Sequence, residues 1–137
     1  MFKYKELDQK YGEQTLLNVR KYEKLSKCNA QYKSHLHFNL HCKHNNITPK
    51  SLKIKSPIDS SEARRIICRT QKALLNVRIT ETLRKQNEIK HELHKVENEL
   101  KSKLPNNIFN ELQATNKQKQ ERTFEKYSVT HKRSIKY

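Results

Sequence analysis

Residues 45–60 read NNITPKSLKIKSPIDS, and this stretch decides the fold because it separates two long runs that contain no helix breaker. Upstream, Glu13 to His44 has neither proline nor glycine, and Leu25, Cys28, Tyr32, Leu36 and Leu40 recur at steps of three and four. That period predicts a helix of roughly 30 residues, about 45 Å long at 1.5 Å per residue. Asn45 and Asn46 tolerate the left-handed conformation that ends helices, and Pro49 cannot continue the hydrogen-bond ladder. Ser51 to Lys55 alternates polar and apolar residues, which predicts an extended connector that Ser56-Pro57 closes.

Downstream, Asp59 or Ser60 can cap a second helix, with Glu62 placed to bond back to its first turn. The run then continues unbroken to Leu104, where Pro105-Asn106-Asn107 ends it. Ile108, Phe109 and Leu112 predict a short third helix, followed from about Thr115 by a frayed basic tail in which Phe124 and Tyr127 are too isolated to build a core. The expected fold is all-α: an elongated antiparallel hairpin over residues 1–104 (helices at about 13–44 and 60–104, connector 45–59), then a short helix and flexible tail over 105–137. The stripe Ile89, Leu93, Val96, Leu100 and Leu104 outruns the first helix. It needs the segment before Gly12, the third helix or a second copy of the chain to cover it.

Composition narrows the function. Gly12 is the only glycine, so the phosphate-cradling turns of nucleotide-binding folds cannot be built. Asp8 and Asp59 are the only aspartates, which excludes a two-metal centre made from clustered aspartates, and the chain alone is not expected to be an enzyme. No cofactor is implied. The N-terminus mixes charges with its apolar residues and lacks a signal peptide's apolar centre, and no run reaches membrane-spanning length, so no stable membrane insertion is expected. Cys28, Cys42 and Cys68 are odd in number and lack paired metal-site spacing. They fit reduced thiols packed as small apolar side chains, in a nuclear or cytoplasmic protein.

Thirty Lys and Arg against 14 Asp and Glu leave a formal charge of +16, which favours a polyanionic partner. The charge is not evenly spread. From Lys24 to Ile58 there are seven lysines and four histidines with no acid, and from Lys24 to Thr80 twelve Lys and Arg face only Asp59 and Glu62. The twelve candidate contacts for nucleic acid are Lys24, Lys27, Lys33, Lys43, Lys50, Lys53, Lys55, Arg64, Arg65, Arg69, Lys72 and Arg78. On a helical wheel Arg65, Arg69, Lys72 and Asn76 fall within about 60° of one another, opposite an expected packing face of Ala63, Ile67, Thr70, Leu74 and Val77. After Thr80 the charges alternate, as on an ordinary solvated coiled-coil surface.

Sharper motifs give less. His37, His41 and His44 share a helix face, but no spaced cysteine pair or nearby carboxylate completes a closed metal site, so the bland reading is a polar face. His91-Glu-Leu-His94 has its histidines three apart, whereas the zinc-protease motif needs four. Tyr22, Tyr32 and Phe38 could stack on bases, but aromatics on long helices are more often packing residues. Two alternatives to nucleic-acid binding stand: a coiled-coil module that assembles through Ile89, Leu93, Val96, Leu100 and Leu104, and a basic peripheral membrane segment.

Residues 35–54, HLHFNLHCKHNNITPKSLKI, together with Ala73-Leu74-Leu75, carry a resemblance. They resemble the region ahead of the catalytic core in Penelope-like and related retroelement reverse-transcriptase proteins, through Leu36, Phe38, Cys42, Ile47, Pro49, Lys50, Leu52 and Ile54. Ser51 stands where that family often has glycine, so a tight turn is not expected there. The polymerase palm and the GIY-YIG-type nuclease that often accompanies the family have no counterpart in the sequence. The resemblance implies an accessory or truncated N-terminal region that helps hold template RNA or target DNA, with RNA ahead of DNA and no catalytic residue carried over.

Overall fold

The computed structural model describes residues 4–54 and 60–133, and among these the fold is all-α. Four helices follow in order: α1 (Tyr4–Tyr11), α2 (Glu13–His44), α3 (Ser61–Lys103) and α4 (Asn106–Arg133), with one 3-10 turn at Lys50–Leu52 in the connector. Gly12 sits at φ +89° between α1 and α2, a conformation that strains any residue with a Cβ. Its N–H bonds the Asp8 carbonyl at 2.9 Å and its carbonyl accepts from Leu16, so a single residue ends one helix and starts the next. This bend folds Leu7 back onto the base of the bundle.

The end of α2 forms as its asparagines predict. Asn46 adopts φ +53° and the Ile47 N–H reaches the Cys42 carbonyl at 2.9 Å, the long bond of a Schellman motif. Despite Ser51, a tight turn does form: Pro49 presets φ −59°, and Leu52 N–H bonds its carbonyl at 2.9 Å. Ser60 is the cap of α3, its Oγ accepting from the Ala63 N–H at 3.1 Å. The alternative cap Asp59, the Ser56-Pro57 pair and Lys55 lie outside the described residues. Pro105 ends α3 because it has no N–H to donate, and its carbonyl accepts from Phe109 in the first turn of α4.

Helix α3 runs antiparallel to α2. Tyr22 donates to Glu97, Asn18 to Glu99, and Tyr32 lies beneath the Lys85 ammonium, so partners fall in α3 as they rise in α2. Helix α4 returns parallel to α2, with Tyr22 against Phe109, Asn29 against Gln120 and Ser34 against Ser128. The long helix α2 is therefore the shared spine; α3 and α4 touch each other far less than either touches α2.

The third helix is not short, and its second half is not a frayed tail: it continues to Arg133, with residues 134–137 outside the described set. Its inner line is Phe109, Leu112, Asn116, Gln120, Phe124, Tyr127 and His131, a helical period whose middle members are polar. A search for apolar recurrence stops at Leu112 for that reason. On α2 the small buried residues Ala30 and Ser34 face it, Ala30 lining a hollow with Gln120 and Phe124 and Ser34 lying against Ser128 and His131.

One apolar cluster closes the base. Leu7, Val19, Tyr22, Val96, Leu100, Leu104, Phe109 and Leu112 draw on all four helices, with Leu93 packed against them. The stripe that outruns the first helix is largely covered within the chain: Val96, Leu100 and Leu104 are buried, and Ile89 and Leu93 half-buried. Of the three covers the stripe could take, the segment before Gly12 and the helix after Pro105 supply it. No helix among the described residues is long and apolar enough to cross a membrane.

Candidate nucleic-acid interface

Helix α3 packs on a face other than the expected one. Leu74 and Val77 are 42% and 59% exposed, while Leu75 is 6% exposed and leads a buried line through Thr82 and Gln86. Register against α2 selects this line, because Leu75 comes opposite the end of α2 and its successors follow at helical spacing even though they are polar. Arg65, Arg69 and Lys72 stay exposed beside it, as a ridge requires.

The predicted cations do not form one patch. Lys24 and Lys27 lie on α2 about 24 Å or more along the helix from Lys43, at 1.5 Å per residue. Lys43 and Lys72 line a cavity at the end of α2, while Lys50 and Lys53 are exposed in the connector and Arg64 is exposed on the first turn of α3. Arg78 is half-buried, and its guanidinium donates to Ser51 Oγ at 2.9 Å, so it braces the connector against α3. Lys33 is directed to Phe124, its ammonium 5.8 Å from the ring centroid.

Lys24 and Lys27 instead join cations that the sequence pattern did not single out. A groove of about 550 Å³ between α2 and α4 is lined by Arg20, Lys24, Lys27, Lys119 and Arg122, with Thr123 and the single acid Glu23. Glu23 is engaged: the Tyr4 hydroxyl donates to its carboxylate at 2.7–2.8 Å, and this bond, with burial, holds the Tyr4 phenol above its ordinary pKa. Arg20 stacks over the same Tyr4 ring at 5.4 Å. Lys119 and Arg122 were missed because they fall in the segment read as tail, where nearby Glu121 and Glu125 also dilute the charge count. Placed on a helix, the two cations turn to one side while Glu121 and Glu125 line a separate hollow with Lys33 and Phe124.

The histidines separate into two kinds. His37, His41 and His44 are exposed, and among the described residues no three His, Cys, Asp or Glu side chains converge as metal ligands. His35 turns inward, its Nδ1 2.9 Å from His131 Nε2, and Phe38 stacks on the His131 ring with centroids 4.6 Å apart. Burial holds both imidazoles below their ordinary pKa, His131 at about 4. Of the three thiols, Cys42 is buried and its pKa is raised by burial, Cys28 is half-buried and Cys68 is exposed. Tyr22 and Phe38 are packing residues, with the Tyr22 phenol pushed up by burial and by its bond to Glu97. No family model, curated protein or solved structure matches this chain.

Proposed function

We propose that this chain is a non-catalytic nucleic-acid-binding helical module that grips a sugar-phosphate backbone in the groove between α2 and α4. The observation that carries the reading is the convergence of Arg20, Lys24, Lys27, Lys119 and Arg122 from two parallel helices around one acid already bonded to Tyr4. A solvated surface ordinarily mixes signs, whereas five cations facing one groove repel one another until an anion lies between them. Guanidinium groups at positions 20 and 122 can each take two phosphate oxygens, and the lysines act as point charges. The exposed ridge of Arg65, Arg69 and Lys72 with Lys43, Lys50 and Lys53 offers a second stretch of positive surface near the other end of α2. The resemblance to retroelement proteins ranks RNA ahead of DNA.

Titration of labelled, mixed-sequence RNA and duplex DNA at rising salt tests this. Five phosphate contacts predict a loss of about 100- to 500-fold in affinity between 50 and 200 mM salt. Absence of binding to either at 50 mM sinks the proposal.

A further inference from the structure

A second concavity lies where α2 ends. It has a volume of about 340 Å³ and is enclosed by the last turn of α2, the start of the connector and the exposed half of α3. Its size is at the small end of ligand pockets. Pro49, which is buried, and Leu75 give it apolar walls. Gln71 and Asn76 bring side-chain amides, each able both to donate and to accept. Lys43 from α2 and Lys72 from α3 stand at its edge, and no described residue lining it is acidic. The Arg78 to Ser51 bond holds the connector on α3 and so keeps the cavity's far side in place.

From this arrangement we infer that the cavity receives one unpaired nucleotide of a single strand, base inward; the inference rests on the nucleic-acid reading above. A flat heteroaromatic base matches apolar walls with amide groups at its edge, since every base carries both donors and acceptors there. The phosphate belongs outside. The Schellman turn that forms one wall is the partially negative end of α2, which disfavours an anion deep in the cavity, while Lys43 and Lys72 attract one at the mouth. A duplex fills the site poorly, because its bases are paired and stacked and one must first be extracted. The protein therefore distinguishes single strands from duplexes at this cavity and holds either through the α2–α4 groove.

Cys68 lines the cavity and is exposed, so its thiol is a built-in reporter of occupancy. The full chain is treated with N-ethylmaleimide alone, with a mixed-sequence RNA of about 20 nucleotides, with the equivalent duplex, and with a free mononucleotide; binding of each is followed in parallel by anisotropy. Single-stranded RNA should slow Cys68 modification about fivefold or more relative to the free protein, by occupying the cavity as a ligand shields its site, while bound duplex leaves it within about twofold. Asn76→Trp, a change at an exposed helix position that fills the mouth, should weaken single-strand binding about tenfold and leave duplex binding within about twofold. If both nucleic acids bind but the single strand does not shield Cys68, or the duplex shields it equally, the cavity assignment falls and the groove reading stands. Shielding by the mononucleotide without shielding by the strand also overturns it. If neither nucleic acid binds, both readings fall.

Discussion

His131 Nε2 on α4 lies 2.9 Å from His35 Nδ1 on α2, and this contact holds the C-terminal half of α4 against the spine. One ring must donate while the other accepts, so the pair holds together when at least one imidazole is neutral. Among the described residues, Ser34 and Phe38 contact His131, the Tyr32 and Tyr127 rings face His35, and the Arg78 charge on α3 lowers the His35 pKa further. Both folded pKa values lie below the ordinary 6.5, with His131 at about 4. A depressed histidine contributes stability that is fully present above pH 6.5 and is lost as pH falls through the folded value. Amide hydrogen exchange across residues 124–131 should therefore be slow at pH 7 and, after correction for intrinsic rates, lose protection between pH 6.5 and 4. Protection unchanged over that window, relative to the base of the bundle, would contradict the assignment.

The base of the bundle should dominate stability. Leu100 is 0% exposed in a cluster shared by four helices, so Leu100→Ala is expected to cost about 2–5 kcal/mol in urea unfolding. Val77→Ala removes an apolar group that already faces solvent, and should change stability by no more than about 0.5 kcal/mol. Similar costs for the two would mean that the packing face of α3 has been misplaced.

Asn116 is 1% exposed, and among the described residues neither its side-chain nitrogen nor its oxygen has a hydrogen-bond partner. Burying an amide without partners is unfavourable, so Asn116→Leu, of similar volume, should raise the unfolding free energy by about 1 kcal/mol. A lower urea midpoint for this variant would show that the polar seam between α2 and α4 tolerates no apolar replacement.

The groove makes a separate prediction about salt. Replacing Lys24, Lys27, Lys119 and Arg122 together with glutamine should flatten the dependence of log affinity on log salt by about 3–4. Lys90→Gln with Lys95→Gln, on the mixed-charge part of α3, should leave that slope nearly unchanged. Equal effects of the two sets would assign binding to net charge and not to the groove.

The sequence by itself determined the helices that local chemistry specifies. Asn45-Asn46 and Pro49 end α2, Ser60 starts α3 and Pro105 stops it, because a backbone angle, a side-chain acceptor or a missing N–H acts within a few residues. The long antiparallel pair followed from the same reading. Only the tertiary structure decided which faces meet. Leu75 is buried and Leu74 exposed one residue away, because a single register against α2 fixes every side chain of α3 at once. The second half of α4 was illegible because its inner line passes through Asn116 and Gln120, polar residues that signal solvent in a sequence, whereas here Asn116 is buried and Gln120 accepts from Asn29 of α2. Lys119 and Arg122 were hidden with it. Nearly 100 residues separate them from Lys24 and Lys27, and only the parallel return of α4 brings all four to one groove.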